Sequence, residues 1–336
     1  MCSSRSEILG GLARASALAF ALAACGTLGD VPPSEAALPN RGVTPWTLVD
    51  ILRGAWLSSW VFVPPATPAQ PAVTEPCALW WDGVHVFAAV RLGERAFIGR
   101  GASEDGLVFG DFETVLDAPG LRAPHVARDV EGRLHLVAAV APNFDRIVYA
   151  VEGDDGTWRL DDAPWALATD GERLESPSIV FDTEDAPWLY WTRITEGAPS
   201  RVDAQRGPDA STRRVVFEGA TGCVAPSGAA SPCWDAGVAR PDVRRATTAA
   251  GRAVYRMFYA GERGESSAIG FAAAFSPEGP FERYAFNPVL EVDGRALTAP
   301  SAVARPNDYA LYVGLEGGRP GVMLAIDDAG APSERW

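Results

Sequence analysis

The clearest pattern in the chain is a proline followed by a small or polar residue and then a run of apolar residues, and it occurs five times. The prolines are Pro76, Pro124, Pro177, Pro241 and Pro300, at spacings of 48, 53, 64 and 59 residues. After each comes a mostly apolar segment typical of a buried strand, at residues 84–90, 134–140, 188–192, 255–260 and 309–314. One fixed order at a regular interval indicates a repeat architecture.

A further strand and a glycine turn follow in most copies, as in residues 146–150 ahead of Asp155-Gly156. Such acid-glycine pairs favour tight hairpins because Gly accepts a positive φ. Four short strands per copy at this period predict an all-β fold, a five-bladed β-propeller, over residues 56–336. The alternative is a β-sandwich, although a sandwich is not expected to repeat one order five times. The apolar stretch 56–63 is expected to pair with the last blade or to pack beside the first.

Residues 1–24 have the features of a secretory signal peptide. Arg5 and Arg14 supply positive charge, residues 15–24 are small and apolar, and Cys25 follows directly. The segment around Cys25 resembles the lipobox of bacterial lipoproteins, which implies cleavage before Cys25 and lipid on its thiol. It thus implies an anchor in the cell envelope. Because residue 26 is Gly rather than Asp, the resemblance further implies passage to the outer membrane. An ordinary signal peptide with a chance cysteine is the alternative. Residues 25–55, rich in Pro, Gly, Ala and Ser, are predicted to be a flexible tether.

Charge and cysteine content narrow the possible partners. Without residues 1–24 the chain has 27 basic and 42 acidic residues, a net charge of −15, and no lysine. Such a charge argues against nucleic acid as a partner. We expect a monomer without a metal or cofactor, since no zinc-site spacing or phosphate-binding loop is present. Outside the cytoplasm Cys223 and Cys233 are expected to form a disulfide, and Cys77 is expected to stay a buried free thiol.

The repeats also resemble a known family. Residues 123–126 ahead of Gly132, and residues 176–182 ahead of Leu189-Tyr190-Trp191, are similar to the second and third blades of the five-bladed propeller glycosidases of the arabinanase and β-xylosidase type. The resemblance covers roughly residues 70–330. It implies inverting hydrolysis by an Asp before the prolines of blades one and three and a Glu two residues before the proline of blade four. The matching residues here are Glu75, Ser176 and Ala239. Because Ser cannot replace the charge of Asp and Ala cannot donate a proton, the family's usual mechanism is not expected.

Other polar residues near the matched prolines form a second hypothesis for the site. Glu175 and Asp242 could join Glu75 in a rearranged catalytic set. Substrate-binding groups around them would be Arg122, His125, Ser178, Arg240 and, as a ring that stacks on sugar, Trp80. The alternative is that Arg122, Arg240, Glu175 and Asp242 form ion pairs lining a filled channel. The sequence therefore predicts an envelope lipoprotein that binds carbohydrate, with an active glycoside hydrolase and a protein-interaction scaffold as alternatives.

Overall fold

The structure is a computed structural model that describes residues 72–327, apart from gaps at 107–108, 110–111, 224–230, 232, 249–250, 265, 285–286, 292–295, 305–308 and 317–320. Every regular element in this part of the chain is a β-strand, so the all-β prediction is confirmed. None of these residues forms a helix that could cross a membrane. The predicted signal peptide, Cys25, the tether and the stretch 56–63 lie outside the described residues.

The described strands form five antiparallel sheets, and each sheet is built from consecutive strands. The first contains β1 (Ala72–Trp80), β2 (Val84–Leu92), β3 (Arg95–Ser103) and β4 (Glu113–Leu116). The second contains β5 (Leu121–Arg128), β6 (Leu134–Val140), β7 (Arg146–Glu152), β8 (Trp158–Leu160) and β9 (Ala166–Leu167), the last paired to β7. The third contains β10 (Glu172–Phe181), β11 (Pro187–Thr195), β12 (Arg201–Arg206) and β13 (Asp209–Phe217). The fourth contains β14 (Gly237–Thr247), β15 (Ala253–Arg263), β16 (Ser266–Ala274) and β17 (Glu282–Arg283). The fifth contains β18 (Ala296–Ala304), β19 (Tyr309–Glu316) and β20 (Gly321–Asp327).

A separate apolar cluster fills the space between each sheet and the next. The cluster between the first and second sheets, for example, packs Phe87 against Leu136. The ring closes where Val86 of the first sheet packs with Ala310 and Tyr312 of the fifth. A sandwich would bury one continuous layer between two sheets, whereas successive sheets packed in a closed ring are the arrangement of a β-propeller. The propeller prediction is therefore confirmed, and the sandwich alternative is wrong.

The same backbone irregularity occurs in the first strand of all five sheets. The pairing register of each first strand with its neighbour shifts at the matched proline. The residue before the proline has a φ of 46–55°, in the left-handed region that non-glycine residues rarely adopt. These residues are Glu75, Ala123, Ser176, Arg240 and Ala299. Left-handed backbone at a non-glycine residue costs on the order of 1–3 kcal/mol and persists only where the surroundings impose it.

A closed circuit of hydrogen bonds around the propeller axis, called the axial circuit below, helps to hold the left-handed residues in place. The residue after each matched proline accepts a hydrogen bond, through its side chain, from a backbone N–H in the next sheet, two residues after that sheet's proline. The five bonds join Val126 N to Cys77 Sγ at 3.1 Å, Ile179 N to His125 Nδ1 at 3.1 Å, Val243 N to Ser178 Oγ at 3.0 Å, Ala302 N to Asp242 Oδ2 at 2.8 Å, and Ala78 N to Ser301 Oγ at 2.8 Å. The last of these connects the fifth sheet to the first and completes the circuit.

Of the three cysteines that the structure describes, two are joined and one is free. Cys223 and Cys233 form a disulfide ahead of the fourth sheet. Cys77 is a buried free thiol that takes part in the axial circuit. Burial raises the pKa of the Cys77 thiol, although the nearby Arg244 guanidinium opposes the rise. Cys77 therefore serves as a packed hydrogen-bonding group rather than a reactive thiolate.

Candidate functional site

A depression open to solvent lies on the axis, where the five bulges meet. Its volume is about 290 Å³, which includes space open to bulk solvent. It is lined by all five matched prolines, by the left-handed residue before each, and by His125. Strained backbone is concentrated at functional sites in many proteins, so five such positions around one depression indicate the candidate site.

Glu75 is the carboxylate that lines this depression. It is partly exposed, and its Oε2 accepts a hydrogen bond of 2.9 Å from the amide of Ala123 in the second sheet. This bond fixes the carboxylate, through Oε2, at the boundary between two sheets. Glu75 is therefore a partly exposed carboxylate of the lining, and its role in a site stays a prediction.

Glu175 lies beside the depression rather than in its lining. Its carboxylate pairs with Arg173, and its side chain is 20% exposed. Burial raises the pKa of Glu175, and the negative charges of Glu75 and Glu262 add to the rise against the opposing charges of Arg173 and Arg240. A carboxyl group that holds its proton more firmly than usual is suited to proton donation.

Asp242 lies in the axial circuit and does not line the depression. It is 1% exposed; Oδ1 accepts from His125 Nε2 at 2.8 Å and Arg244 Nε at 2.9 Å, while Oδ2 accepts from the Ala302 amide. Burial opposes ionisation of Asp242, but the Arg244 charge and the His125 hydrogen bond outweigh it and lower its pKa. Every neighbour of this carboxylate is a donor, so its oxygens are already occupied.

His125 joins the floor of the depression to the axis. Burial, together with the charge of Arg244, lowers the pKa of His125 to about 4. Its Nδ1 accepts a hydrogen bond from the Ile179 amide, so the neutral ring carries its proton on Nε2 and donates it to Asp242. A second proton on Nδ1 would face the Ile179 N–H, which explains independently why the ring stays neutral.

Arg244 fills the centre of the channel, and the sequence reasoning did not single it out. Besides Asp242, its guanidinium donates to Ala78 O at 3.3 Å, Ser301 Oγ at 3.3 Å and Val126 O at 3.4 Å. The channel thus contains an ion pair between Asp242, which is one of the four residues named for this alternative, and Arg244, which is not. Arg244 stands three residues after Pro241, outside the span in which the repeats match. Glu262, which accepts from Ser200 Oγ at 3.0 Å, was also missed because it belongs to the second strand of its sheet.

The remaining predicted site residues do not all lie in the depression. Ser178 is buried in the axial circuit, and its Oγ lies 3.1 Å from His125 Nε2. Arg240 lines the depression and donates its backbone N–H to Thr192 Oγ1 at 2.7 Å. Arg122 is partly buried and directly precedes Ala123 of the lining. Trp80 lies at the far end of β1, packed against the apolar cluster between the fifth and first sheets.

No group of three or more potential metal ligands occurs in the part of the chain that the structure describes. The polar groups that the depression presents are thus the Glu75 carboxylate, Ser176, Arg240 and the edge of His125. Glu75, Ser176 and Arg240 can exchange hydrogen bonds with a ligand rich in hydroxyl groups, whereas both ring nitrogens of His125 already have partners.

Comparison with known proteins agrees with this fold. No family model and no curated protein matches the sequence. Among solved structures, a thermostable family-43 glycoside hydrolase is 17% identical, with a TM-score of 0.56 over 76% of this chain and 89% of that chain. An endo-arabinase from Bacteroides thetaiotaomicron is 16% identical, with a TM-score of 0.53 over 76% of this chain and 93% of that chain. A GH62 α-L-arabinofuranosidase from Coprinopsis cinerea is 12% identical, with a TM-score of 0.56 over 82% of this chain and 99% of that chain.

These similarities span most of both chains at sequence identities that establish only the fold. The resemblance inferred from the repeats is confirmed at that level: this chain has the β-propeller fold of the arabinanase and xylosidase type of glycosidase.

Proposed function

We propose that this chain is a cell-envelope lipoprotein whose five-bladed propeller binds carbohydrate in the axial depression, without the usual hydrolytic mechanism of the propeller glycosidases. The observation that supports it best is the depression itself. All five strained bulges converge there, and they present Glu75, Ser176 and Arg240 to solvent. Acidic, hydroxyl and guanidinium groups at one shallow site are suited to a saccharide, because sugar hydroxyls both donate and accept hydrogen bonds.

The loss of the usual mechanism follows from the residues that occupy the family's three positions. Glu75 is a carboxylate, but Ser176 and Ala239 are not, and Ala239 is buried. Inverting hydrolysis needs one protonated and one ionised carboxyl group on opposite sides of the scissile bond. With one carboxylate at the three positions, binding is favoured over catalysis by that route.

Active hydrolysis is the second candidate function, and one observation favours it. Glu175 is close enough to Glu75 for its pKa to respond to the charge of Glu75, and burial raises that pKa. The pair would supply a proton donor in Glu175 and a second carboxyl group in Glu75. A third candidate is a protein-interaction scaffold, which the filled axis below the depression supports because a ligand has no route into the channel.

The anchor and the blade count belong to the same proposal. A signal peptide over residues 1–24, lipid on Cys25, a tether over residues 25–55 and residence at the outer membrane rest on the sequence. The fifth sheet has three strands within the described residues, while the other four have at least four. Pairing of residues 56–63 with this sheet would complete the fifth blade and cover its open edge.

A binding and hydrolysis screen tests the proposed function. The full mature chain, purified in detergent, is applied to an array of plant and microbial glycans, and each bound glycan is then incubated with it and analysed for reducing ends. Binding without cleavage is the expected result. Cleavage that is lost in both Glu75→Gln and Glu175→Gln would instead establish the hydrolase, and the absence of any bound glycan would contradict carbohydrate binding.

A further inference from the structure

One member of the axial circuit also lines the depression. The side chains that accept the hydrogen bonds of the circuit are those of Cys77, His125, Ser178, Asp242 and Ser301. Of these five, only His125 is in the lining of the depression. It is also the only one of the five that can gain a positive charge. Protonation of this ring therefore acts on the axis and on the depression together.

The hydrogen bonds of His125 fit the neutral ring alone. Nδ1 accepts from the Ile179 amide at 3.1 Å, and Nε2 donates to Asp242 Oδ1 at 2.8 Å. A second proton, on Nδ1, would place two N–H groups against each other. Because the Ile179 amide is fixed within β10, the ring has to leave this position once it is protonated.

The axis offers an imidazolium a poor environment. From β14 the ring faces Asp242 and the guanidinium of Arg244, and burial together with the Arg244 charge lowers the pKa of His125 to about 4. From β10 it faces the Ser178 hydroxyl, which lies 3.1 Å from Nε2, and on β6 its register partner is the apolar Val137. One carboxylate is thus opposed by one guanidinium, in a site without access to water.

The depression offers the ring solvent and a second carboxylate. Glu75, on the neighbouring β1, lines the depression and accepts from the amide of Ala123, two residues before His125. Glu175 of β10 is already in an ion pair. The positive lining residue, Arg240, belongs to the fourth sheet, whereas the second sheet packs against the first and the third. An imidazolium is therefore attracted out of the axis and toward Glu75.

We propose that protonation of His125 turns its ring out of the axial circuit and into the depression, where it pairs with Glu75 and displaces a bound ligand. The movement breaks the link between the second and third sheets at Ile179. Displacement of a ligand rests on the proposed carbohydrate-binding function, whereas movement of the ring does not. Acid thus shifts the population from an open site to one that the chain itself fills.

NMR of the histidine rings, labelled with ¹⁵N in the full mature chain without ligand, tests the movement between pH 7 and pH 3. Variants with Gln assign the signals of the three histidines, His85, His125 and His135. We expect the His125 ring to carry its proton on Nε2 at pH 7 and to become cationic with a midpoint at a pH of about 4. The Ile179 amide should lose its protection from hydrogen exchange in the same step. The matched control is the Ala78 amide, which donates to the Ser301 hydroxyl in the same circuit and should stay protected.

Glu75→Gln tests where the ring goes. Removal of the carboxylate should lower the midpoint of His125 by ~1 pH unit, while Glu113→Gln, at an exposed ion pair of β4, should leave the midpoint unchanged.

Displacement of the ligand is tested with the glycan that the array identifies. If only the neutral ring permits binding, the affinity should fall ~10-fold between pH 7 and one pH unit below the midpoint. The fall should stay below ~3-fold in His125→Gln, which cannot gain the charge, and keep its full size in His135→Gln.

Four results would overturn the inference. A cationic His125 beside an unchanged Ile179 amide would show that the ring keeps its place. Cooperative loss of all amide protection before His125 titrates would show unfolding instead of a movement. An unchanged midpoint in Glu75→Gln would exclude the turn into the depression, and an equal fall of affinity in the wild type and His125→Gln would exclude displacement. Failure of every glycan to bind would overturn the proposed function, while the NMR results still decide the movement of the ring.

Discussion

Replacement of Asp242 by Asn removes the carboxylate that pairs with Arg244 in the axis. The side chain keeps its size, but an amide has one acceptor atom where the carboxylate has two. Both carboxylate oxygens face donors: His125 and Arg244 on one side and the Ala302 amide on the other. Either orientation of the Asn amide therefore places its NH₂ group against a donor. Asp242→Asn should destabilise the fold through both the lost charge and this conflict.

The burial of the Asp242–Arg244 pair determines how much stability the fold should lose in Asp242→Asn. Asp242 is 1% exposed and Arg244 is 17% exposed. Removing one partner of a buried ion pair costs about 3–5 kcal/mol. Because the Arg244 side chain is still in partial contact with water, its unpaired charge would be partly hydrated. We therefore expect a loss of stability near the lower limit, ~3 kcal/mol.

Urea unfolding followed by tryptophan fluorescence measures this loss, and urea is preferred because guanidinium salt would screen the pair. Asp145→Asn is the control, since Asp145 pairs with Arg146 at a site where both are about half exposed; its effect should stay within ~0.5 kcal/mol. Combining Asp242→Asn with Arg244→Met should cost less than the sum of the single changes by ~2 kcal/mol. A loss below ~1 kcal/mol for Asp242→Asn, or strict additivity, would refute the axial role and return Asp242 to the site hypothesis.

The other predictions concern pH, the disulfide and the anchor. Because the pKa of His125 is about 4 in the folded chain and ~6.5 when unfolded, the unfolded chain binds the proton more readily; stability should fall by up to ~3 kcal/mol as the pH drops from ~6.5 to ~4. Urea unfolding at pH 7 and pH 4.5 measures this fall, and an equal fall in His125→Gln would exclude His125 as its cause. Replacing both Cys223 and Cys233 by Ser should cost roughly 2–3 kcal/mol in the chain-entropy model, and an unchanged melting temperature would show that the bridge adds no stability. Cys25→Ser should leave an unprocessed or soluble precursor because the thiol is the acylation site, and unchanged membrane fractionation would refute lipidation.

Repeat periodicity predicted the parts of this fold that depend on chain order. The five matched prolines all lie in first strands, and the apolar segments after them form the second strands. The positions of the prolines and of the apolar segments both follow from patterns that every copy must keep so that its sheet can bury its two faces against the neighbouring sheets. The left-handed backbone before each proline could not be predicted, since Glu, Ala, Ser and Arg have no preference for positive φ.

The site was predicted less completely, because its members come together through tertiary contacts. Glu75, His125 and Asp242 were all predicted from their position next to a matched proline. Glu75 and His125 line the depression, whereas Asp242 is buried beneath it. Adjacent residues on a strand alternate in direction, and the bulge resets that alternation. No local signal therefore distinguished a lining residue from an axial one. Arg244 was missed for a related reason: its importance depends on the carbonyl oxygens of two other sheets.

The most direct test of carbohydrate binding in the axial depression is the affinity of Glu75→Gln for the glycan that the array identifies. The substitution keeps an acceptor for the Ala123 amide but removes the negative charge that Glu75 contributes to the lining. Glu113→Gln, at an exposed ion pair of β4, is the matched control. The account predicts that Glu75→Gln weakens binding by ~10-fold or more at unchanged unfolding free energy, while Glu113→Gln binds like the wild type. Wild-type affinity in Glu75→Gln would contradict it and place the binding site elsewhere.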